Sequence, residues 1–386
     1  NEQCAFWHEK CKLSLLTYCD DLLIRGKRRD VRWFFEAVGE RFKIKDPQYL
    51  TRDSMLDHLG MTFFQDEHGT YLSMANYIEA MVVRLGIDPD IGRHESVPMC
   101  APIIDYTPIS QADASWFMSA TGMLGWLAGT GRCDCKLIHS RISAYMANPC
   151  RGALQAAIKA VRYCAHNKHL CLFQPFEGPE TCVHYSDSDH AGNAEPGAKR
   201  KSQLGYVSMC GTAPIAWGSK STSVNFDDRL ASLAEMSTPS RNYPKGSKAF
   251  TLDPVAHARL KELHPDLSSG HAEIYAASVT LSEVMHLSYI LEEQGRAMPM
   301  PFTIKVDNTT AIAFSKGNVR KSKLKHIDAR QQWVEWLRSR NICKLEYVDT
   351  KLNIADFYTK LLDKDRFQYL RDMQMVKRSL PAAAAA

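Results

Sequence analysis

Between residues 183 and 362 the chain switches repeatedly between the two hydrophobic periods that separate strands from helices. Short alternating or apolar runs predict strands at 183–187, 205–210, 214–217, 302–306 and 344–348. Ile274, Ala277, Leu281, Val284 and Leu291 recur at helical spacing and predict a helix over 272–291. Further helices are predicted around 327–337 and from Ile354 onward. The order is three strands, helix, strand, helix, strand, helix. Such a chain has few ways to bury its apolar faces, and a mixed sheet covered by helices, an α/β or α+β layer, is the economical one.

Acidic residues fall where these elements begin or end. Asp187 closes the first strand, Glu273 opens the long helix, Asp307 follows the fourth strand, and Asp356 lies in the first turn of the last helix. Each alone suits an ordinary role, a strand-end acid or a first-turn acid facing the helix dipole. If all four converge on one sheet edge, their mutual repulsion calls for divalent cations. Hard oxygen ligands suit Mg²⁺ or Mn²⁺, and two such ions can activate water and stabilise a leaving oxygen in phosphodiester hydrolysis.

The first block reads as strand, tight turn and strand, with apolar residues 13–18 and 22–24 around Cys19-Asp20-Asp21. Val31, Phe34, Val38 and Phe42 predict a following helix, residues 56–64 and 70–72 a second hairpin, and 77–85 another helix. Pro98, Pro102 and Pro108 mark a linker, and 113–174 reads as mostly helical. Phe117, Ala120, Leu124 and Leu127 make 114–131 a buried helix rather than a membrane span. The segment 221–269 is rich in Ser, Pro, Asn and charge, which predicts a surface insertion without a core of its own.

Composition excludes little. Hydrophobic residues at 45% and charged residues at 24% are ordinary for globular chains, and a net charge of +5 permits nucleic-acid binding without arguing for it. The 12 cysteines contain no CxxC pair; Cys133, Cys135 and His139 cluster, but a fourth zinc ligand is not evident. Reduced thiols and the lack of a basic-then-apolar leader predict a cytoplasmic or nuclear protein with no membrane partner.

The wording of these segments carries more. Tyr185-Ser186-Asp187-Ser188-Asp189, Lys201-Ser202-Gln203-Leu204-Gly205-Tyr206, Ile215-Ala216-Trp217-Gly218-Ser219-Lys220, Ala272-Glu273-Ile274-Tyr275, Asp307-Asn308, Lys325-His326-Ile327-Asp328, Glu346-Tyr347-Val348 and Ala355-Asp356 with Thr359-Lys360 resemble, in order and spacing, the ribonuclease H domain of copia-type retrotransposon polyproteins. The resemblance implies a ribonuclease H-like mixed five-stranded sheet with flanking helices. It also implies that Asp187, Glu273, Asp307 and Asp356 are the catalytic and metal-binding residues for two Mg²⁺ or Mn²⁺ ions. Tyr18-Cys19-Asp20-Asp21 resembles the polymerase YxDD turn, and His58-Leu59-Gly60-Met61 the segment supporting the primer end. Asp20 and Asp21 are then a vestigial polymerase turn, since nothing before Asn1 supplies the other metal-binding Asp, and this chain alone is not expected to polymerise.

The expected organisation is a partial reverse-transcriptase palm and thumb at 1–95, a helical connection at 96–180, the ribonuclease H-like domain at 181–375 with its insertion at 221–269, and a tail at 376–386. Arg320, Lys321, Lys323, Lys325, His326 and Arg330 crowd one stretch and are expected to meet nucleic-acid phosphates, the alternative being a solvated charged face. The expected activity is cleavage of the RNA strand of an RNA–DNA hybrid. The alternative is a non-catalytic retrotransposon remnant serving as a structural or nucleic-acid-binding subunit of a larger assembly, with a protein partner.

Overall fold

The computed structural model describes residues 4–88, 90, 94–99, 101–177, 181–189, 202–221, 267–317 and 325–381. Most of the insertion, with Arg320, Lys321 and Lys323, lies outside the described residues.

The chain begins with an antiparallel sheet of β1 (Ala5–His8), β2 (Leu13–Tyr18) and β3 (Asp21–Arg25), followed by α1 (Arg28–Gly39). Two hairpins follow, β4 (Leu56–His58), β5 (Met61–Gln65) and β6 (Gly69–Ser73), then α2 (Ala75–Leu85). The helical stretch holds α3 (Gln111–Thr130), α4 (Lys136–Ser143) and α5 (Arg151–His166). Ser110 caps α3 by accepting from Asp113 N at 3.1 Å, and Phe117, Ala120, Leu124 and Leu127 form the expected stripe, fully buried. Ala153, Ala157, Ala160 and Cys164 on α5 are equally buried; these small side chains let α5 approach α3 closely.

Residues 170–175, read from sequence as the end of that helical stretch, form β7 (Leu170–Pro175) instead. Leu170-Cys171-Leu172-Phe173 is too short an apolar run to show a period, and pairing with β6 decides its conformation. At the other end of the chain, Val376–Lys377 forms β13, which pairs with β7 and completes the sheet β13-β7-β6-β5-β4. The segment at 376–386 therefore begins as a sheet strand, with Arg378 N donating to His169 O at 2.8 Å and Arg378 Nη2 to Asp66 Oδ2 at 2.9 Å.

The third sheet contains β8 (Cys182–Asp189), β9 (Gln203–Cys210), β10 (Ala213–Ser221), β11 (Phe302–Val306) and β12 (Cys343–Tyr347) in the order β10-β9-β8-β11-β12. The β10–β9 and β9–β8 pairs are antiparallel; β11 runs parallel to β8, and β12 parallel to β11. Parallel pairs need crossovers. They are supplied by α6 (Leu267–Glu293) before β11, and by α7 (Thr309–Ser315) and α8 (Lys325–Ser339) before β12. The topology is that of the ribonuclease H-like fold. Gly295, at φ 69°, ends α6 in a left-handed turn that suits glycine, with Arg296 N bonded to Leu291 O.

Ile274, Ala277, Leu281 and Val284 of α6 pack with Ile304 and Val306 of β11 and with Val334 and Leu337 of α8. On the other face Val207 and Met209 join one continuous core with α2, α3, α4 and α5. The helix expected from Ile354 is a 3₁₀ turn (Ile354–Tyr358), followed by α9 (Lys364–Asp372), which Asp363 caps through Arg366 N at 2.9 Å. The short helix α7 carries too few residues to show a period, and it is started by Asn308, whose side chain accepts from Thr310 N and Ala311 N.

Candidate metal centre

Because β8 and β11 are adjacent and parallel, their C-terminal ends open on the same sheet edge. Asp187 lies near the end of β8 and Asp307 just past β11. The 3₁₀ turn brings Asp356 to both. One carboxylate oxygen from each of Asp187, Asp307 and Asp356 lies within 4.8 Å of the other two. Asp187 and Asp356 are buried, and Asp307 is half-buried.

Two local features hold the turn in place. Asn353 accepts from Ala355 N at 3.2 Å and donates through Nδ2 to Ser186 O at 3.2 Å, tying the turn to β8 beside Asp187. Gly205, the cross-strand partner of Asp187, leaves the space that the turn fills. A Cβ there would lie 2.6 Å from Thr359 Cγ2 and 2.8 Å from Tyr358 Cβ.

Glu273 reaches the same region from α6. Its Oε1 accepts from Ser188 N at 3.2 Å and from Ser188 Oγ at 3.0 Å, while its buried Oε2 has no hydrogen-bond partner among the described residues. Burial raises the Glu273 pKa well above the carboxylate range, and Asp187 and Asp307 add to the rise. Burial also pushes Asp187 up to about 6, reinforced by Asp356 and Asp307 and opposed by Lys360 and Thr359.

Lys360 is the counter-charge. Its Nζ lies 3.2 Å from Asp187 Oδ1 and 2.5 Å from Asp356 Oδ1. Burial works against its charge, but Asp187 and Asp356 outweigh that and hold its pKa above the ordinary value. Thr359 donates its hydroxyl to Asp187 Oδ2, and Arg366 Nη2 lies 3.4 Å from Asp356 Oδ2. Among the described residues, one lysine and one arginine leave four carboxylates under-neutralised, and an orphaned buried carboxylate oxygen has nothing to accept. Both features, with an all-oxygen donor set, fit divalent Mg²⁺ or Mn²⁺.

No family model matches the chain. Over 95% of its length it is 25% identical to the retrovirus-related Pol polyprotein from transposon RE1 of Arabidopsis thaliana, of which it covers 22%. Over 93% it is 23% identical to the corresponding polyprotein from transposon TNT 1-94 of Nicotiana tabacum, covering 24% of it. A transposon Ty5-1 protein of Saccharomyces cerevisiae is 26% identical over 53% of this chain and 65% of its own. The homologues of this chain are transposon Pol polyproteins. It spans less than a quarter of the two plant Pol polyproteins. Among solved structures, the N-terminal RNase H domain of a Mycobacterium tuberculosis protein, fused to maltose binding protein, is similar with a TM-score of 0.28 at 12% identity, over 50% of this chain and 98% of that one.

Among the described residues, the other sequence candidates lie away from this cluster. Asp20 and Asp21 are exposed at the β2–β3 turn, where Cys19 takes φ 50°. Among the described residues no third acidic group joins them. Arg330 stacks on the Tyr275 ring at 4.0 Å and donates to Ser278 Oγ at 3.1 Å, clamping α8 to α6. Lys325 and His326 begin α8. The Cys133, Cys135 and His139 side chains turn to separate partners: Tyr358 for Cys133, Cys164 Sγ at 3.4 Å for Cys135 and Ser143 Oγ at 3.1 Å for His139. Sequence reasoning missed Lys360, Ser188 and Asn353. A lysine four residues beyond Asp356, the spacing that makes i,i+4 ion pairs, was the available signal for the first.

Proposed function

We propose that the ribonuclease H-like part of this chain is a metal-dependent nuclease that cleaves the RNA strand of RNA–DNA hybrids within a longer Pol polyprotein. The observation that carries the reading is the meeting of Asp187, Asp307 and Asp356 on one sheet edge, beside a buried Glu273 with a free carboxylate oxygen. Asp187, Glu273, Asp307 and Asp356 would hold two Mg²⁺ or Mn²⁺ ions, which when bound supply an activated water and charge stabilisation at the phosphate. Ser188 aims Glu273, Thr359 aims Asp187, and Asn353 sets the position of Asp356, so the donors are preorganised by groups that do not themselves react.

The hybrid would lie across the same edge, its RNA strand distinguished by the 2′-hydroxyl. Arg320, Lys321, Lys323, Lys325 and His326 are the proposed phosphate contacts, and Arg330, already committed to Tyr275 and Ser278, holds α8, the helix that Lys325 and His326 begin, against α6. The YCDD turn would serve polymerisation only together with other parts of a Pol protein. A cytoplasmic or nuclear site of action goes with this reading.

The test is cleavage of a labelled hybrid by wild type and Asp307→Asn across Mg²⁺ and Mn²⁺ concentrations. Asp307→Asn is expected to lose cleavage by orders of magnitude, since metal-supplied stabilisation is worth about several kcal/mol, while its fold persists. Equal inertness of the two proteins, with hybrid binding retained, would reject the nuclease and leave a nucleic-acid-binding subunit.

A further inference from the structure

Lys360 alone among the described lysines forms ion pairs with the clustered carboxylates, and it pairs with only two of them, Asp187 and Asp356. It forms no ion pair with Asp307 or Glu273. On the metal-dependent reading above, we propose that Lys360 occupies the place of the second of two divalent ions, so that one ion binds readily beside Glu273 and Asp307 and the other only when the lysine leaves.

The two halves of the cluster differ in what an incoming cation must break. Glu273 Oε2 has no donor, so a cation meeting it displaces no hydrogen bond. A cation bridging Asp187 and Asp356 must break both Lys360 contacts, because an ammonium 2.5 Å and 3.2 Å from those oxygens fills the space an ion would take at ~2.1 Å. Two positive charges cannot share that position. The lysine has somewhere to go: its side chain is 33% exposed, against 1% for Asp187 and 5% for Asp356, and its four-carbon stem is flexible. The apparent affinity of the second ion is then reduced by the fraction of molecules in which the lysine has swung out. Occupancy of the second place, and cleavage with it, therefore depends on free metal concentration.

Mn²⁺ binding, followed by electron paramagnetic resonance of the free ion, tests the competition without reference to activity. Wild type should bind one ion tightly and a second about tenfold or more weaker, the gap expected if Lys360 holds its place roughly nine-tenths of the time. Lys360→Gln should close that gap, and Lys360→Arg should keep it. A second ion bound equally in wild type and Lys360→Gln, or more weakly in the variant, would overturn the proposal and leave the metal centre standing. If neither protein binds Mn²⁺, the metal-dependent reading itself fails. Should Lys360→Gln unfold without metal, circular dichroism during the same titration serves instead. Refolding with two ions bound supports the competition, and failure to refold at concentrations that saturate wild type overturns it.

Discussion

His184 lies inside β8, three residues before Asp187, with Nδ1 2.8 Å from Ser208 Oγ and its ring edge-on to Phe302. Burial pushes its pKa down to about 4. An unfolded chain takes up this proton below about pH 6.5, whereas the folded one resists until about pH 4, so stability present above pH 6.5 is lost as the pH falls through that window. The loss attributable to His184 should be about 2 kcal/mol at pH 5, on the order of one pKa unit per 1.4 kcal/mol. Denaturant midpoints of wild type and His184→Asn at pH 7 and pH 5 measure it: the variant should lose less on acidification, and parallel losses would contradict the burial argument. Gly205 is the second residue whose replacement is diagnostic. Gly205→Ala forces a Cβ against Thr359, Tyr358 and Ala355 O, 3.1 Å away, and overpacking of this kind costs about 1–3 kcal/mol. Urea denaturation should show that loss, and hybrid cleavage should fall with it as the Asp356 turn lifts from β9.

The 3₁₀ turn at Ile354–Tyr358 has too few internal hydrogen bonds to keep its own shape, so its neighbours must hold it. Asn353 contributes both an N-terminal cap and the bond to Ser186 O. Asn353→Ala removes the cap, worth about 1 kcal/mol, and leaves a buried carbonyl unsatisfied, worth about 1–3 kcal/mol more. The expected outcome is a lower thermal midpoint that added Mg²⁺ restores in part, since an ion bound by Asp356 would stabilise the same turn. Indifference of the variant's midpoint to Mg²⁺, where wild type responds, would place Asp356 outside the metal centre. The edge strand β13 holds in a comparable way, because β7 has β6 on one side and would otherwise present free backbone groups on the other.

Across the whole molecule the helices α3, α4 and α5 do more than connect. Val207, Met209, Phe357, Tyr358 and Phe367 share a core with them, and Trp217 Nε1 donates to Ala128 O at 2.8 Å. Each such side chain left in water forfeits about 1.5–3 kcal/mol of burial. A fragment of residues 181–381 expressed alone should therefore aggregate or bind a hydrophobic dye, whereas the full chain should not; a soluble, cooperatively melting fragment would show the ribonuclease H-like part to be self-sufficient. The strands of the third sheet, its long helix and the strand-end positions of Asp187 and Asp307 were legible in residues 183–362, because periodicity and element ends are local properties of a chain. The strand at 170–175 and the pairing of Val376–Lys377 were not, since the partner that makes each one a strand lies far away in sequence. Nor were the orphaned Glu273 oxygen and the Lys360 bridge legible, although their residue types stood in plain view. Burial and ion pairing depend on which side chains meet across elements, and only the packed tertiary structure decides that.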